Sequence, residues 1–432
     1  MSMVVKNNMS AVSTLNTLNK NSSALASSLK KVSSGMKINS AADDASGYAI
    51  SERMRVQIRG LDQANQNTQN GTSMMKVAEG AVSSTVDILK TLKEKVINAA
   101  NDTNTDADRA TIQKELDQSI DQINDNANVT YNGKYLVDGS HNSKVTATTT
   151  ALTNESLNSS TTSAAVFSEM KDRNGNSLNI QASDTITMSV VKEGKTSTFS
   201  VHGSDKLSDL VKCGASEGLS ESIDSGSTIG SDVAGDTVGT ADKGNALTIH
   251  ASGTGVANQI SGLTFSVTNT KGQVQKSANA VLDNFTESIR AQNKSDDNAI
   301  NLQVGTKANQ SIRVGLTDMR AEALGLQSST GKTIQIGTQM QANAAVNVLD
   351  NAVQKALDQQ TTIGSVQSRL SYTSSNLTTA SENVQASEST IRDADMAKEM
   401  TEYTKNNVLL QAAQSMLAQA NQSSSSVLSL LQ

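Results

Sequence analysis

A chain of 432 residues has room for two or three domains, yet this one contains no proline, no tryptophan, four phenylalanines and five tyrosines. So few aromatics exclude a single large enzyme-like core, which depends on them for buried area, while the lack of proline leaves long helices unbroken. A net charge of −6 singles out neither nucleic acid nor a membrane surface as a partner, and the lone Cys213 excludes a disulfide framework or a cysteine metal cluster.

Residues 1–42 carry five lysines and no acid. Their apolar side chains keep a helical beat: Leu18, Leu25 and Val32 share one seam, with Leu15, Leu29 and Met36 beside it. The lysines, with no aromatics between them, fit the solvent face of a helix better than a nucleic-acid arm. Lys6 and Asn7 follow the first apolar residues at once, so no core of a secretory signal is expected there. No run approaches the ~20 apolar residues that span a bilayer. These rules alone predict a soluble, cytoplasmic chain.

A polar break, Asn39-Ser40-Ala41-Ala42-Asp43-Asp44, separates this arm from a second helix. Apolar positions resume at Ile50, Met54, Ile58 and Leu61. Leu61, Met75, Val82, Leu89 and Val96 then keep a seven-residue spacing in which Thr68 is the polar member. A third helix starts near Asp106 with Ile112, Leu116, Ile120 and Ile123 on one face. Asp106 and Asp108 suit its positive N-terminal end. Asn132-Gly133 marks a turn.

Between about 141 and 300 the helical beat gives way to Ser, Thr, Gly and Asp with short alternating runs. The runs 185–190 and 196–201 flank Lys192-Glu193-Gly194-Lys195, which predicts a hairpin. Leu247-Thr248-Ile249 and 263–267 predict further strands, and 220–239 reads as a mobile surface loop. Strand-like alternation follows at Leu302-Gln303-Val304 and Ile312-Arg313-Val314.

Helix then returns. Leu349, Ala356, Ile363, Leu370, Leu377, Val384 and Ile391 hold a strict heptad, a strong coiled-coil signal that Gly364 weakens only locally. Residues 406–432 contain no charge, and Leu410, Ala413, Leu417, Ala420, Val427 and Leu431 draw a last apolar stripe. The fold class is α+β. A long antiparallel α-helical coiled-coil rod is formed by both chain ends, with a β-hairpin element and a β-rich inserted outer domain. The terminal stripes are expected to be largely disordered in a monomer and to fold when neighbouring copies cover them, as in a subunit that polymerises.

Chemistry is sparse. His141, His202 and His250 lack metal-ligand spacing, and neither a nucleophile elbow nor a phosphate-binding loop is present. Asp43-Asp44 is a paired carboxylate without a nearby histidine and reads as a helix-starting cluster. No enzyme activity, cofactor or metal is expected.

The run Val32-Ser33-Ser34-Gly35-Met36-Lys37-Ile38-Asn39-Ser40-Ala41-Ala42-Asp43-Asp44-Ala45-Ser46-Gly47-Tyr48-Ala49-Ile50 resembles the N-terminal signature of bacterial flagellins. So do Gly60-Leu61, Gln63-Ala64, Asn67, Gly71 and Glu79-Gly80-Ala81. Glu382-Asn383, the run from Ile391 to Glu399, and the ending Leu417-Ala418-Gln419-Ala420-Asn421-Gln422 resemble the C-terminal signature. The resemblance covers both ends, about two thirds of the chain. Within the same structural class, a hook–filament junction protein with related ends is the alternative.

The resemblance implies a subunit of the extracellular flagellar filament, exported largely unfolded by the flagellar type III apparatus without a cleaved signal. It divides the chain into inner-layer arms at 1–42 and 393–432, rod halves at 43–145 and 299–392, and a variable surface domain at 146–298. It implies as partners the protein itself as a helical homopolymer, a secretion chaperone on the C-terminal arm, hook-associated junction proteins and the filament cap. No nucleic acid or membrane insertion is implied.

Two departures stand out. Ser423-Ser424-Ser425-Ser426 replaces the proline that often follows Ala-Asn-Gln in relatives. Relatives sensed strongly by Toll-like receptor 5 resemble Leu-Gln-Arg-Val-Arg-Glu-Leu where this chain reads Leu89-Lys90-Thr91-Leu92-Lys93-Glu94-Lys95. Thr91 replaces an arginine and Lys95 a leucine, while Glu94 and Glu115 fit the acidic positions. Weak sensing is therefore expected.

Overall fold

The computed structural model describes residues 8–215, 222–241 and 243–429. In chain order its elements are α1 (Met9–Ser34), α2 (Ala45–Ala99), α3 (Asp106–Ala127), β1 (Thr130–Tyr131), β2 (Lys134–Tyr135), β3 (Ala151–Asn154), β4 (Thr185–Lys192), β5 (Lys195–His202), α4 (Leu207–Ala215), β6 (Ser222–Gly226), β7 (Thr228–Ser231), β8 (Thr237–Gly239), β9 (Ala246–His250), β10 (Ile260–Thr268), α5 (Lys276–Leu282), β11 (Thr286–Ile289), β12 (Ile300–Gln303), β13 (Ser311–Val314), α6 (Ala321–Leu324), α7 (Gln339–Arg392) and α8 (Met396–Ser429). They fall into two compact units. The first comprises Met1–Thr68, Gln303–Gln310 and Tyr372–Gln432, the second Gln69–Leu302 and Ser311–Ser371.

In the first unit α1 and α8 run antiparallel. Asn8 donates to the Ala420 carbonyl (3.1 Å), Asn21 to that of Leu409 (3.2 Å), and Asn406 to the Ser28 hydroxyl (3.0 Å). Lys31 pairs with Glu399 at 3.6 Å. Asn8 also caps α1 by accepting from the Ala11 N–H, and Gly35 closes it with φ of 69°, a left-handed conformation that glycine adopts without strain. The two arms are helical and pair along one apolar seam on each.

Two linkers of this unit also hold each other. Lys37 N–H donates to the Arg392 carbonyl (2.7 Å), and Ala394 N–H to that of Gly35 (2.9 Å). The buried Arg392 guanidinium sits 5.3 Å from the Tyr48 ring centroid and donates to Glu52 at 2.6 Å, holding that carboxyl below its usual range. The polar break starts α2: the Asp44 side chain accepts from the Ser46 and Gly47 N–H groups, each at 3.0 Å. Asp43 gathers the Ser40 hydroxyl and the Ser40 and Asn39 N–H groups, which lower its pKa. Along the rest of the unit α2 and α7 are antiparallel, with Arg55 against Glu388 (3.2 Å), Asp62 against Ser381 (3.1 Å) and Asn65 against Ser374 (2.7 Å).

In the second unit the rest of α2, α3 and the start of α7 share buried heptad faces. A capping box at Thr105 and Asp108 opens α3, and the Thr105 hydroxyl, then its N–H, lowers the Asp108 pKa. Glu79 accepts from Gln367 at 2.7 Å, and Lys93 pairs with Asp350. The predicted hairpin is present: β4 and β5 are joined by Glu193 and Gly194, whose φ values of 49° and 68° fit a two-residue turn. With β10 they make a three-stranded sheet of order β10-β4-β5, beside a four-stranded sheet of order β11-β3-β9-β6. Phe167, Ile186, Met188, Leu247, Ile249 and Phe265 are among the side chains of their common core.

The loop expected at 220–239 is a correction. From residue 222 onward it forms β6, β7 and β8. Ile229 is buried against Ala151 and Ile289, and Val238 packs on them. The turn between β7 and β8 explains how so polar a segment orders. Asp232 accepts through its side chain from the Ala234 (2.9 Å) and Asp236 (2.8 Å) N–H groups, and Gly235 N–H returns to the Asp232 carbonyl (3.0 Å). The same turn recurs at Asp172–Asn176 and Asn269–Gln273, each with glycine in the fourth place.

The sheet domain is tied to α7 at β10. Asn347 donates to the Leu263 carbonyl (2.9 Å) and Asn351 to that of Ser261 (3.1 Å). A Cβ on Gly262 would stand 2.6 Å from Val348, so glycine permits this approach. Asp283 lies at the same junction, accepting from Phe265 N–H (2.9 Å) and from Asn347, and burial raises its pKa from 3.8 to about 6. Its folded pKa exceeds its unfolded one, so its contribution is fully present below about pH 4 and is lost as pH rises through 6. Asp283→Asn keeps an acceptor for Phe265. It is expected to raise neutral-pH stability by roughly 2 kcal/mol and to flatten the pH dependence between about 4 and 6. Denaturant melts at pH 4.5 and 7.5 check this; an equal effect at both would rule out the titration.

Candidate self-assembly surfaces

The seam between α1 and α8 is thin. Leu18, Leu25 and Val32 are half-buried, as are Leu410 and Leu417, while Ser28 and Ala413 are buried between them. Leu15 and Leu29, on the second stripe of α1, are exposed, together with Met9 and Val12. On α8, Met400, Val408, Leu409 and Met416 are exposed. A pair of helices one side chain thick cannot cover two apolar faces at once. Val427 and Leu431 lie outside the residues whose side chains are described.

The rod seam divides by unit. Met75, Val82, Leu89 and Val96 are fully buried on α2, and so are Leu349, Ala356, Ile363 and Leu370 on α7. Thr68 fits the same seam because its hydroxyl donates to the Ala64 carbonyl at 2.8 Å. In the first unit Leu61 is buried, but Leu377, Val384 and Ile391 are half-buried.

Of the receptor-contact residues, Leu89 is a correction: it is wholly buried in the rod and cannot meet a protein from outside. Thr91 and Glu94 are exposed. Lys95 and Glu115 pair with each other at 3.0 Å across α2 and α3, so both charges are already engaged. Among the described residues no helix is long and apolar enough to cross a membrane, and no cluster of three His, Cys, Asp or Glu could hold a metal.

The model of the bacterial flagellin N-terminal helical region matches residues 5–142, and that of the C-terminal helical region matches residues 346–431. A flagellin of Clostridium tyrobutyricum is 32% identical over 430 residues, covering 97% of this chain and 99% of its own. The chain belongs to the bacterial flagellin family. Other flagellins are similar along the whole length: that of Bacillus subtilis (strain 168) is 30% identical, covering 99% of this chain and 100% of its own, and flagellin D of Vibrio anguillarum is 31% identical, covering 100% of both. The solved structure of FliC from Burkholderia pseudomallei is 17% identical, covers 69% of this chain and 99% of that one, and has a TM-score of 0.26. Flagellins are structural filament subunits, which assigns this chain to the flagellar filament and accounts for long helices at both ends around small antiparallel sheets. Sequence reasoning did not find the Arg392 contact with Tyr48 and Glu52. Its signal lay in the C-terminal signature, where Arg392 directly follows Ile391, the last position of the apolar seam.

Proposed function

We propose that this flagellin is exported largely unfolded by the flagellar type III apparatus and polymerises outside the cell into the helical propeller of swimming motility. The observation that carries this is the paired arms with apolar side chains left over: Leu15, Leu29, Leu409 and Met416 stand exposed beside a seam already in use. A second copy of the chain has the complementary faces, and burying each such side chain contributes about 1.5–3 kcal/mol. A chaperone fits the C-terminal arm before assembly, with junction and cap proteins at the filament ends. Purified protein seeded with filament fragments is expected to give helical filaments by electron microscopy, and this chain should dominate sheared cell appendages. A minor share of them would favour the junction-protein reading, and failure to elongate seeds would overturn the filament reading.

Weak sensing by Toll-like receptor 5 follows from the same helices. Thr91 offers a single hydroxyl, already donating to the Asp87 carbonyl at 3.0 Å, where relatives carry an arginine. Lys95 replaces an apolar contact and neutralises Glu115. Thr91→Arg with Lys95→Leu restores the donor and frees Glu115. A gain of roughly thirtyfold in reporter-cell potency is expected, the size of one arginine hot spot. Full potency of the unchanged protein would show that the receptor reads other residues.

A further inference from the structure

We propose that the arm methionines Met9, Met396, Met400 and Met416 are sulfoxidation sites through which peroxide switches off polymerisation of the free subunit. The chain has 14 methionines, and nine of the described ones fall into two groups, apart from the half-buried Met36 and Met54 and the exposed Met340. Met74, Met75, Met170, Met188 and Met319 are at most 6% exposed and sit in the second unit. On the arms, Met9 is 71% exposed, Met396 43%, Met400 46% and Met416 64%. Met396 and Met400, one turn apart, share one flank of α8, while Met416 lies two turns from Leu409 on another. These thioethers are therefore open to solvent in the monomer and lie on the faces that self-assembly would bury, a placement that rests on the filament reading above.

The chemistry needs only a hydroperoxide. A sulfur lone pair attacks one peroxide oxygen, the O–O bond breaks, and an S–O bond forms. The departing hydroxide takes the proton of the transferred oxygen and leaves as water. Sulfur loses two electrons and the peroxide gains them. The product is polar and chiral where the thioether was apolar and flexible. An S–O group buried in an apolar contact without a donor is penalised like any orphaned polar group. In a polymer the same sulfurs would be covered, so the switch acts on subunits before incorporation.

The test uses the purified full-length chain and hydrogen peroxide, with sulfoxide measured at each methionine by peptide mass spectrometry. The four arm sites are expected to oxidise at least about tenfold faster than the five buried ones, because susceptibility follows exposure. Seeded elongation by the oxidised monomer is expected to fall by about tenfold or more, with recovery after treatment with methionine sulfoxide reductase. Whatever its untreated rate, the fourfold Met→Leu variant should elongate equally before and after peroxide, even though the exposed Met340 of α7 still oxidises. Equal rates at arm and buried sites, or full elongation by oxidised wild-type protein, would overturn the proposal while leaving the filament reading intact. Failure of untreated wild-type protein to elongate would overturn both.

Discussion

Leu370→Ala is expected to lower the stability of the second unit by about 2–5 kcal/mol, and Leu370→Asp by more. Leu370 is fully buried on α7, one turn beyond Gln367, whose amide reaches Glu79 on α2 at 2.7 Å. Truncation to alanine removes three carbons from a closed site walled by two long helices that have little freedom to collapse. A carboxylate there would be stripped of water without a partner placed to receive it. Val384→Ala makes the comparison, since its side chain is half-buried and its loss should cost less than half as much. Denaturant melts followed by circular dichroism measure both. Unchanged melting of Leu370→Ala would place that residue on the surface and break the seam.

That comparison also explains what the heptads made legible. A seven-residue repeat says which side chains face a partner helix but not how many partners there are. In the second unit Leu349, Ile363 and Leu370 are shut away, while α3 adds a third helix beside Ser84 and Lys95 of α2. In the first unit α2 and α7 meet without a third helix of that unit, so Leu377, Val384 and Ile391 stay half open. The β4–β5 hairpin was readable because Glu193-Gly194 is a local turn signal between two alternating runs. Strands β3 and β11 were not: each has four residues and gains its partners from segments far along the chain. The order at 222–239 was equally hidden, because it depends on side-chain acceptors at Asp232 and on Ile229 reaching a small distant cluster. The exposed arm faces were legible as stripes, but only the structure separated the seam already paired from the side chains left free.

Deleting residues 406–432 should abolish filament formation while leaving the second unit folded. The cut removes Leu410, Ala413 and Leu417 from the seam that α8 shares with α1, and with them the partners of Asn8, Asn21 and Ser28. What remains of α8 is too short to hold a helix alone. The 26 residues of α1 then lose the face that covered them, and no acid in the first turn supports the isolated helix. Both arms should therefore fray together, since among the described residues each covers the other along the seam. Circular dichroism should show helix lost beyond the deleted residues, with the melting of the second unit unchanged. Sedimentation after seeding should leave the truncated protein in the supernatant and pellet the full chain. If the truncated protein elongates seeds normally, the assembly contacts lie on the rod and not on the arms. If α1 stays helical without α8, its exposed Leu15 and Leu29 would have to find cover in a neighbouring copy, and the truncated protein should then self-associate into short oligomers, which the same sedimentation run would detect.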